Sequence, residues 1–379
     1  MKRWVTRRCN VAGRVGVALA LGAFVAVVFG TVTPTAAARP PRAVYLLTNQ
    51  ATNRVVVYTR SGGTLTRSKS VRTGGRGIAK DLGSQYSMVM SDDGRFLYCV
   101  NPASGTITTF RVTATGLHRL AKVKSFGRRP VSLTLHKDML YVLNAGGHGN
   151  VSGFTVRRNG TLKHLANSTR KLSNNGRGAA PKVGAVGFCA LGLMMVVTEK
   201  DADKLVVWHV NGAHRLVRRS VHASPSATPF GLDFNTMGAM VIAQSQAGAA
   251  LGSTLTSYDL KCKTFLGRSK NLALQETGAT RLVIAGDTLA FVSNTASDAI
   301  SSVLVGGKAE INLIASAAAS TGAGSAPAEL AVSQVGDFLF VVCPGNGTLQ
   351  SFQISSGGAA TPAGSVDGIP AGAAGLAAW

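Results

Sequence analysis

Acidic residues are scarce in this chain. Its 379 residues hold 16 Asp and Glu against 40 Lys and Arg, a formal net charge of +24. That imbalance points to anionic partners and away from acidic or cation-buffering roles. Aromatics are also few, at 6%, and the basic segments carry none at regular intervals. A stacking platform for specific nucleic-acid reading is therefore not expected. Cysteine occurs five times, at 9, 99, 189, 262 and 343, and no pair has metal-type spacing. Neither a phosphate loop nor a Ser/His/Asp order is present, so neither a metal nor a cofactor is expected. Beyond residue 29 there is no long apolar run, and no later segment should cross a membrane.

Residues 1–38 stand apart. Lys2, Arg3, Arg7, Arg8 and Arg14 form a basic start, 15–29 is an apolar run, and Ala36 and Ala38 supply small residues at −3 and −1. This is the pattern of a secretory signal peptide cleaved after Ala38, and it predicts a secreted or periplasmic protein without stable membrane insertion. The remaining residues, 39–379, should form one domain.

That domain is repetitive. The stretch SLTLHKDMLYVLNAGGHGNVSGFTVRRNGTL at 132–162 reads as three short strands, a tight Asn159-Gly160 hairpin and the start of a fourth strand. Four antiparallel strands in about 45 residues make one propeller blade. The first residue of the second strand recurs at Tyr45, Tyr98, Tyr141, Val196, Val241, Phe291 and Phe340, with spacings of 53, 43, 55, 45, 50 and 49. The fold class is therefore all-β, a seven-bladed β-propeller preceded by a signal peptide. The first repeat has no room for an inner strand ahead of Tyr45, because RPPR at 39–42 stands there. The C-terminal PAGAAGLAAW supplies one, and residues 375–379 should close the ring with chain from both ends. Cys99 and Cys343 then fall on second strands of blades two and seven. Free, mostly buried thiols are expected, Cys189 and Cys262 included.

The positive charge is one-sided. Residues 39–230 carry 29 Lys/Arg and 7 Asp/Glu, whereas 231–379 carry 6 and 9. Blades one to four should form a basic half-disc that attracts an extracellular polyanion. The loops between second and third strands, and those between blades, share one face around the axis. That mouth should gather Arg76, Lys80, Gln85, Arg129, Lys182 and Lys200 as ligand-binding groups for a small anionic molecule, and Gly74, Gly75 and Gly77 could shape a backbone nest for it. His148 and Glu199, on adjacent blades, are the candidates for directing water as a catalytic base.

YVLNAGGHGNVSGF, MSDDGRFLYCVNPASGTITTF and APAELAVSQVGDFLFVVCPGNGTLQSF resemble repeats of the seven-bladed lactonase family, which includes 6-phosphogluconolactonases and 3-carboxymuconate cyclases. The resemblance covers nearly all of residues 39–379 and implies a ligand-binding central mouth. Active members tend to carry Arg-His at inner-strand starts where this chain has TPFGLDF and APAELAV. Later blades there often carry Asn-Arg-Gly-His where SNTASD and CPGNG stand, and the Asn-Glu of a middle blade is matched by Glu199 in VTEK. Two readings follow. The first is a monomeric binding propeller of lactonase-like descent that holds an anionic ligand or polymer without efficient catalysis. The alternative is a hydrolase of a small carboxylated or phosphorylated lactone.

Overall fold

The second strands are the most deeply buried part of each repeat, because their apolar residues face neighbouring blades on both sides. In the computed structural model, which describes residues 42–260 and 264–379, Ala43–Leu47, Phe96–Asn101, Met194–Glu199 and Ala239–Gln244 are buried at every position. The leader pattern at 1–38 and Cys262 lie outside the described residues. Seven antiparallel sheets follow in chain order, each led by its innermost strand. The inner strands of blades 2 to 7 are Met88–Met90, Arg128–His136, Val183–Phe188, Pro229–Phe234, Ala279–Ala285 and Leu330–Val332.

Blade 1 takes its inner strand, Leu376–Ala378, from the C-terminus, with Val44 opposite Ala378 and Leu46 opposite Leu376. Leu47 N donates to Gly375 O at 3.0 Å and Trp379 N to Ala43 O at 2.9 Å. The expected closure over 375–379 is thus present, and the sheet edge that would otherwise be open is paired.

Aromatic anchors join neighbouring blades. Tyr45, Tyr98, Tyr141, Phe291 and Phe340 are fully buried; each such ring contributes roughly 2–3 kcal/mol by area. The Tyr98 hydroxyl donates to Gly160 O in the hairpin of blade 3, and Tyr141 to His214 O in that of blade 4, both at 3.0 Å.

The outer edge is less regular. In blade 3 the fourth strand is split into Leu162–His164 and Arg170–Lys171, both paired to Asn150–Val156. Blade 5 is split likewise, into Leu266–Gly267 and Leu272–Ala273. Cys99 and Cys343 are free and buried as expected. Cys189 is not: it is disulfide-bonded. It lies just beyond the inner strand Val183–Phe188 and is buried, its Sγ accepting from Met194 N at 3.3 Å.

Candidate functional site

Residues 79–87, between the outer strand of blade 1 and the inner strand of blade 2, do not stay on the mouth face. They run into the axial channel and bond to blade after blade. Ser84 Oγ donates to Val131 O in blade 3 at 2.9 Å, and Gln85 N to Gly184 O in blade 4 at 2.9 Å. The Gln85 amide is held at both ends by blade 6, donating to Leu282 O at 2.6 Å and accepting from Leu282 N at 3.3 Å. Tyr86 N donates to Glu329 Oε1 in blade 7 at 3.3 Å, and Leu133 N of blade 3 donates to Tyr86 O at 2.8 Å. The Tyr86 hydroxyl bonds the Asp233 carboxylate in blade 5. Such a stopper needs sharp reversals: Ala79, Gly83 and Tyr86 all have left-handed φ, at 55°, 62° and 62°. For Tyr86 that costs roughly 1–2 kcal/mol, offset by the bonds it makes. Gly231 is the seat, since a Cβ there would stand 2.1 Å from Gln85 Oε1.

Two carboxyls stand beneath the stopper, Glu329 buried and Asp233 half-buried at the edge of a well. Burial pushes Asp233 up to about 6, against the pull of N–H groups of Ile284 and Phe234 and of the Tyr86 hydroxyl. Burial likewise pushes Glu329 up to about 7, opposed by Arg281 and by the Tyr86 N–H.

Above the stopper the mouth holds a charged cluster from three blades. Arg281, at the start of the blade 6 inner strand, is 3% exposed. Its Nη2 donates to Asp81 Oδ1 at 2.6 Å, and its Nε has no hydrogen-bond partner. Lys200, just after the second strand of blade 4, donates to Gly83 O at 2.5 Å. Phe230 of blade 5 lies under both cations, 4.1 Å from Lys200 Nζ and 4.9 Å from Arg281 Cζ to the ring centre. Burial, and then the Arg281 charge, lower Lys200 to about 8. Burial acts to raise Asp81, but Arg281, the Gly83 N–H and Lys200 outweigh it and hold the carboxyl below its usual range. The cluster offers a desolvated guanidinium with a free donor, a proton-donating amine near neutrality and an ionised carboxylate open to solvent.

The residues expected at the mouth are placed unequally. Lys200 belongs to the cluster, and Gln85 is in the stopper with its amide already bonded to the backbone. Arg76 and Lys80 are exposed on the stopper's approach, and Arg129 is exposed beside Arg128 and Lys124 in a shallow groove. Lys182 pairs with Asp201 at 2.9 Å on the surface. His148 is exposed, and its Nδ1 donates to Gly178 O at 2.6 Å. Glu199 is fully buried and its carboxylate accepts from the Ser173 N–H at 2.9 Å and from the Ser173 hydroxyl. No hydrogen bond joins His148 to Glu199.

Glu199 has equivalents around the ring. Asn101 accepts from the Thr73 hydroxyl at 2.6 Å, Asn144 donates to Ser125 O at 3.3 Å, and Gln244 donates to the Ser224 hydroxyl at 3.0 Å. Each is the last buried residue of a second strand and clamps the loop arriving from the previous blade. The glycines before the stopper serve close packing too. A Cβ on Gly75 would meet Asn101 Cγ at 2.3 Å, and one on Gly77 would meet Asn49 O at 2.1 Å. The N–H groups of Gly75, Arg76 and Gly77 are bonded within the protein, to the Thr73 and Ser104 hydroxyls and to Gln50 O. These three donors are therefore already satisfied and do not form an anion nest.

On the far side of the stopper the channel widens into a well of about 690 Å³, with Tyr86 and Asp233 among its lining. Its lining mixes apolar Met90, Leu135, Phe234 and Val332 with Asp92, His136, Lys137 and Asn235. Sequence reasoning missed Asp81, Asp233, Arg281 and Glu329. Among the described residues there is no group of His, Cys, Asp and Glu able to hold a metal ion, and no helix long and apolar enough to cross a membrane.

A seven-bladed propeller with a stoppered channel and a charged mouth is the class of protein these features define. The family described as lactonase, 7-bladed beta-propeller, matches residues 56–358, and the chain belongs to that family. No curated protein matches it in sequence. Among solved structures, a candidate 6-phosphogluconolactonase from Bacteroides uniformis superposes with a TM-score of 0.70 at 14% identity, over 88% of this chain and 98% of that one. A periplasmic gluconolactonase from Pseudomonas aeruginosa gives 0.69 at 16% identity, with the same coverage. A protein from Sulfolobus tokodaii described as selenium-binding gives 0.63 at 12%, over 89% and 93%. At these identities the likeness is one of fold.

Proposed function

We propose that this chain is a lactone hydrolase acting on a small lactone that carries a carboxylate or phosphate, with its site above the stopper. Family membership favours hydrolysis over binding alone. The observation that carries the location is Arg281, a buried guanidinium whose Nε is unpartnered and which stands beside a second cation over one aromatic ring. Arg281 and Lys200 would hold the substrate's anionic group or the oxyanion that forms as water adds to the lactone carbonyl. Asp81 would accept the proton of that water. As the ring C–O bond breaks, the Lys200 ammonium, at about 8, would protonate the departing alkoxide. The leader pattern at 1–38 supports a place of work outside the cytoplasm, which N-terminal sequencing of the exported protein would check.

The test is turnover over a panel of carboxylated and phosphorylated lactones. Arg281→Met should lower kcat/KM by roughly 100-fold or more, and wild-type activity should fall as pH rises through about 8, where Lys200 loses its proton. Unaltered turnover in Arg281→Met would move the site elsewhere.

A further inference from the structure

The split outer strand of blade 3 leaves a groove of about 430 Å³ at the rim, facing the outer strand of blade 4, Leu216–Ala223. Thr169, Arg170, Lys171, Val217, Arg218 and Arg219 line it, and Arg215 stands beside it. None of its five cations forms an ion pair with a carboxylate among the described residues. Backbone carbonyls hold three of them, Arg170, Arg215 and Arg219. Arg170 Nε donates across the seam to Leu216 O at 3.0 Å, and its Nη1 to Asn167 O at 2.9 Å and Thr169 O at 3.0 Å. Arg215 donates back to Ala166 O. Arg219 reaches Leu172 O at 2.9 Å and Asn175 Oδ1 at 2.6 Å. Arg218 is the extra residue of a bulge, at φ 37°, and makes no hydrogen bond. Carbonyls orient guanidinium groups without cancelling their charge, so the groove is a preorganised cationic site.

We infer that this rim groove binds a linear acidic polysaccharide through its uronate carboxylates. Three features favour that partner. Guanidinium forks pair bidentately with carboxylates. Val217 and Val221, 40% and 41% exposed, offer apolar contact for sugar-ring faces on the same strand. The groove's aromatic, Trp208, is 1% exposed, so no platform exists on which nucleobases could stack. A bilayer is a poor fit, because these cations lie on the circumference of the ring and not on a flat face. The groove is also separate from the axial mouth, so polymer binding and lactone turnover should be lost independently.

The experiment is titration of the protein with a polymannuronate octasaccharide at low salt, beside oligo(dT) of equal charge. Lys171→Ala plus Arg218→Ala removes two charges whose side chains make no seam hydrogen bond, so the fold is spared. Binding of the octasaccharide should weaken about tenfold. Arg67→Ala plus Lys69→Ala removes the same charge from blade 1 and should weaken it less than about twofold, with lactone turnover unchanged in both. Equal loss in the two double variants would overturn a defined groove in favour of diffuse charge. Tighter binding of oligo(dT) would overturn the polysaccharide, and no binding of either polymer would overturn the site.

Discussion

The two ends of the axial channel are built from the same inner strands, yet they differ in kind. At the mouth, Asp81, Lys200 and Arg281 converge over Phe230; at the far end, Met90, Leu135, Phe234 and Val332 share a wider well with Asp92, Asp233, His136 and Lys137. What separates them is one inter-blade loop. A repeated sheet produces near-symmetry, and a single non-repeated segment folded into the axis breaks it. It divides the channel into a narrow mouth with a buried cation cluster and a wider well of mixed lining. The stopper therefore sets the boundary between the two compartments, and the blades supply its fixings.

The comparison breaks most severely if the stopper is unseated. Gly231→Val would drive side-chain atoms into Gln85 Oε1, and Thr280 O lies only 2.7 Å from the site of its Cβ. Unfolding in urea should show a loss of about 3 kcal/mol, and the two compartments should become one. A smaller effect comes from the carboxyls beneath the stopper. Asp233 and Glu329 bind protons more tightly folded, at about 6 and about 7, than as free side chains. The folded state therefore holds more protons between about pH 4 and 7, and stability should fall as pH rises through that window. Asp233→Asn should flatten the lower part of that slope, as read from urea midpoints between pH 4 and 7. The smallest change is expected at Glu199. Gln244 performs the same clamp one blade on with an amide, so Glu199→Gln should keep both Tm and turnover. Glu199→Ala should cost about 1–3 kcal/mol by leaving Ser173 unbonded. Loss of turnover in Glu199→Gln with Tm intact would make that carboxylate a catalytic base after all.

The ring was legible because its signals are local and repeated. Tyr98, Tyr141 and Phe291 recur at one position of each blade, and Ala377 completes blade 1 because Tyr45 had no inner neighbour of its own. The mouth was only partly legible. Lys200 follows a second strand, so its face of the disc could be assigned. Arg281 could not be, since the inner strand that carries it reads as one more apolar run. The stopper was illegible for a different reason. GGRGIAKDLGSQ has the composition of a surface loop, and its partners are single atoms of five other blades, with Leu282 and Glu329 about 200 residues or more away in sequence. Glu199 has a structural role that its position in the sequence did not reveal. A carboxylate at the end of a second strand suggested chemistry at the mouth, and its equivalents Asn101, Asn144 and Gln244 make the same seam clamp. Cys189 followed the same course: position alone suggested a buried thiol, and the cross-link was not visible in the spacing.

The most direct measurement compares the two compartments with the same substrate. On whichever lactone the wild-type protein opens fastest, kcat/KM should be determined for Lys200→Met above the stopper and for Met90→Trp, which fills the well below it. A loss of about 100-fold or more in Lys200→Met, with Met90→Trp within about twofold of wild type, is the predicted result. Turnover that survives in Lys200→Met and collapses in Met90→Trp would place the chemistry in the well below the stopper and contradict the account.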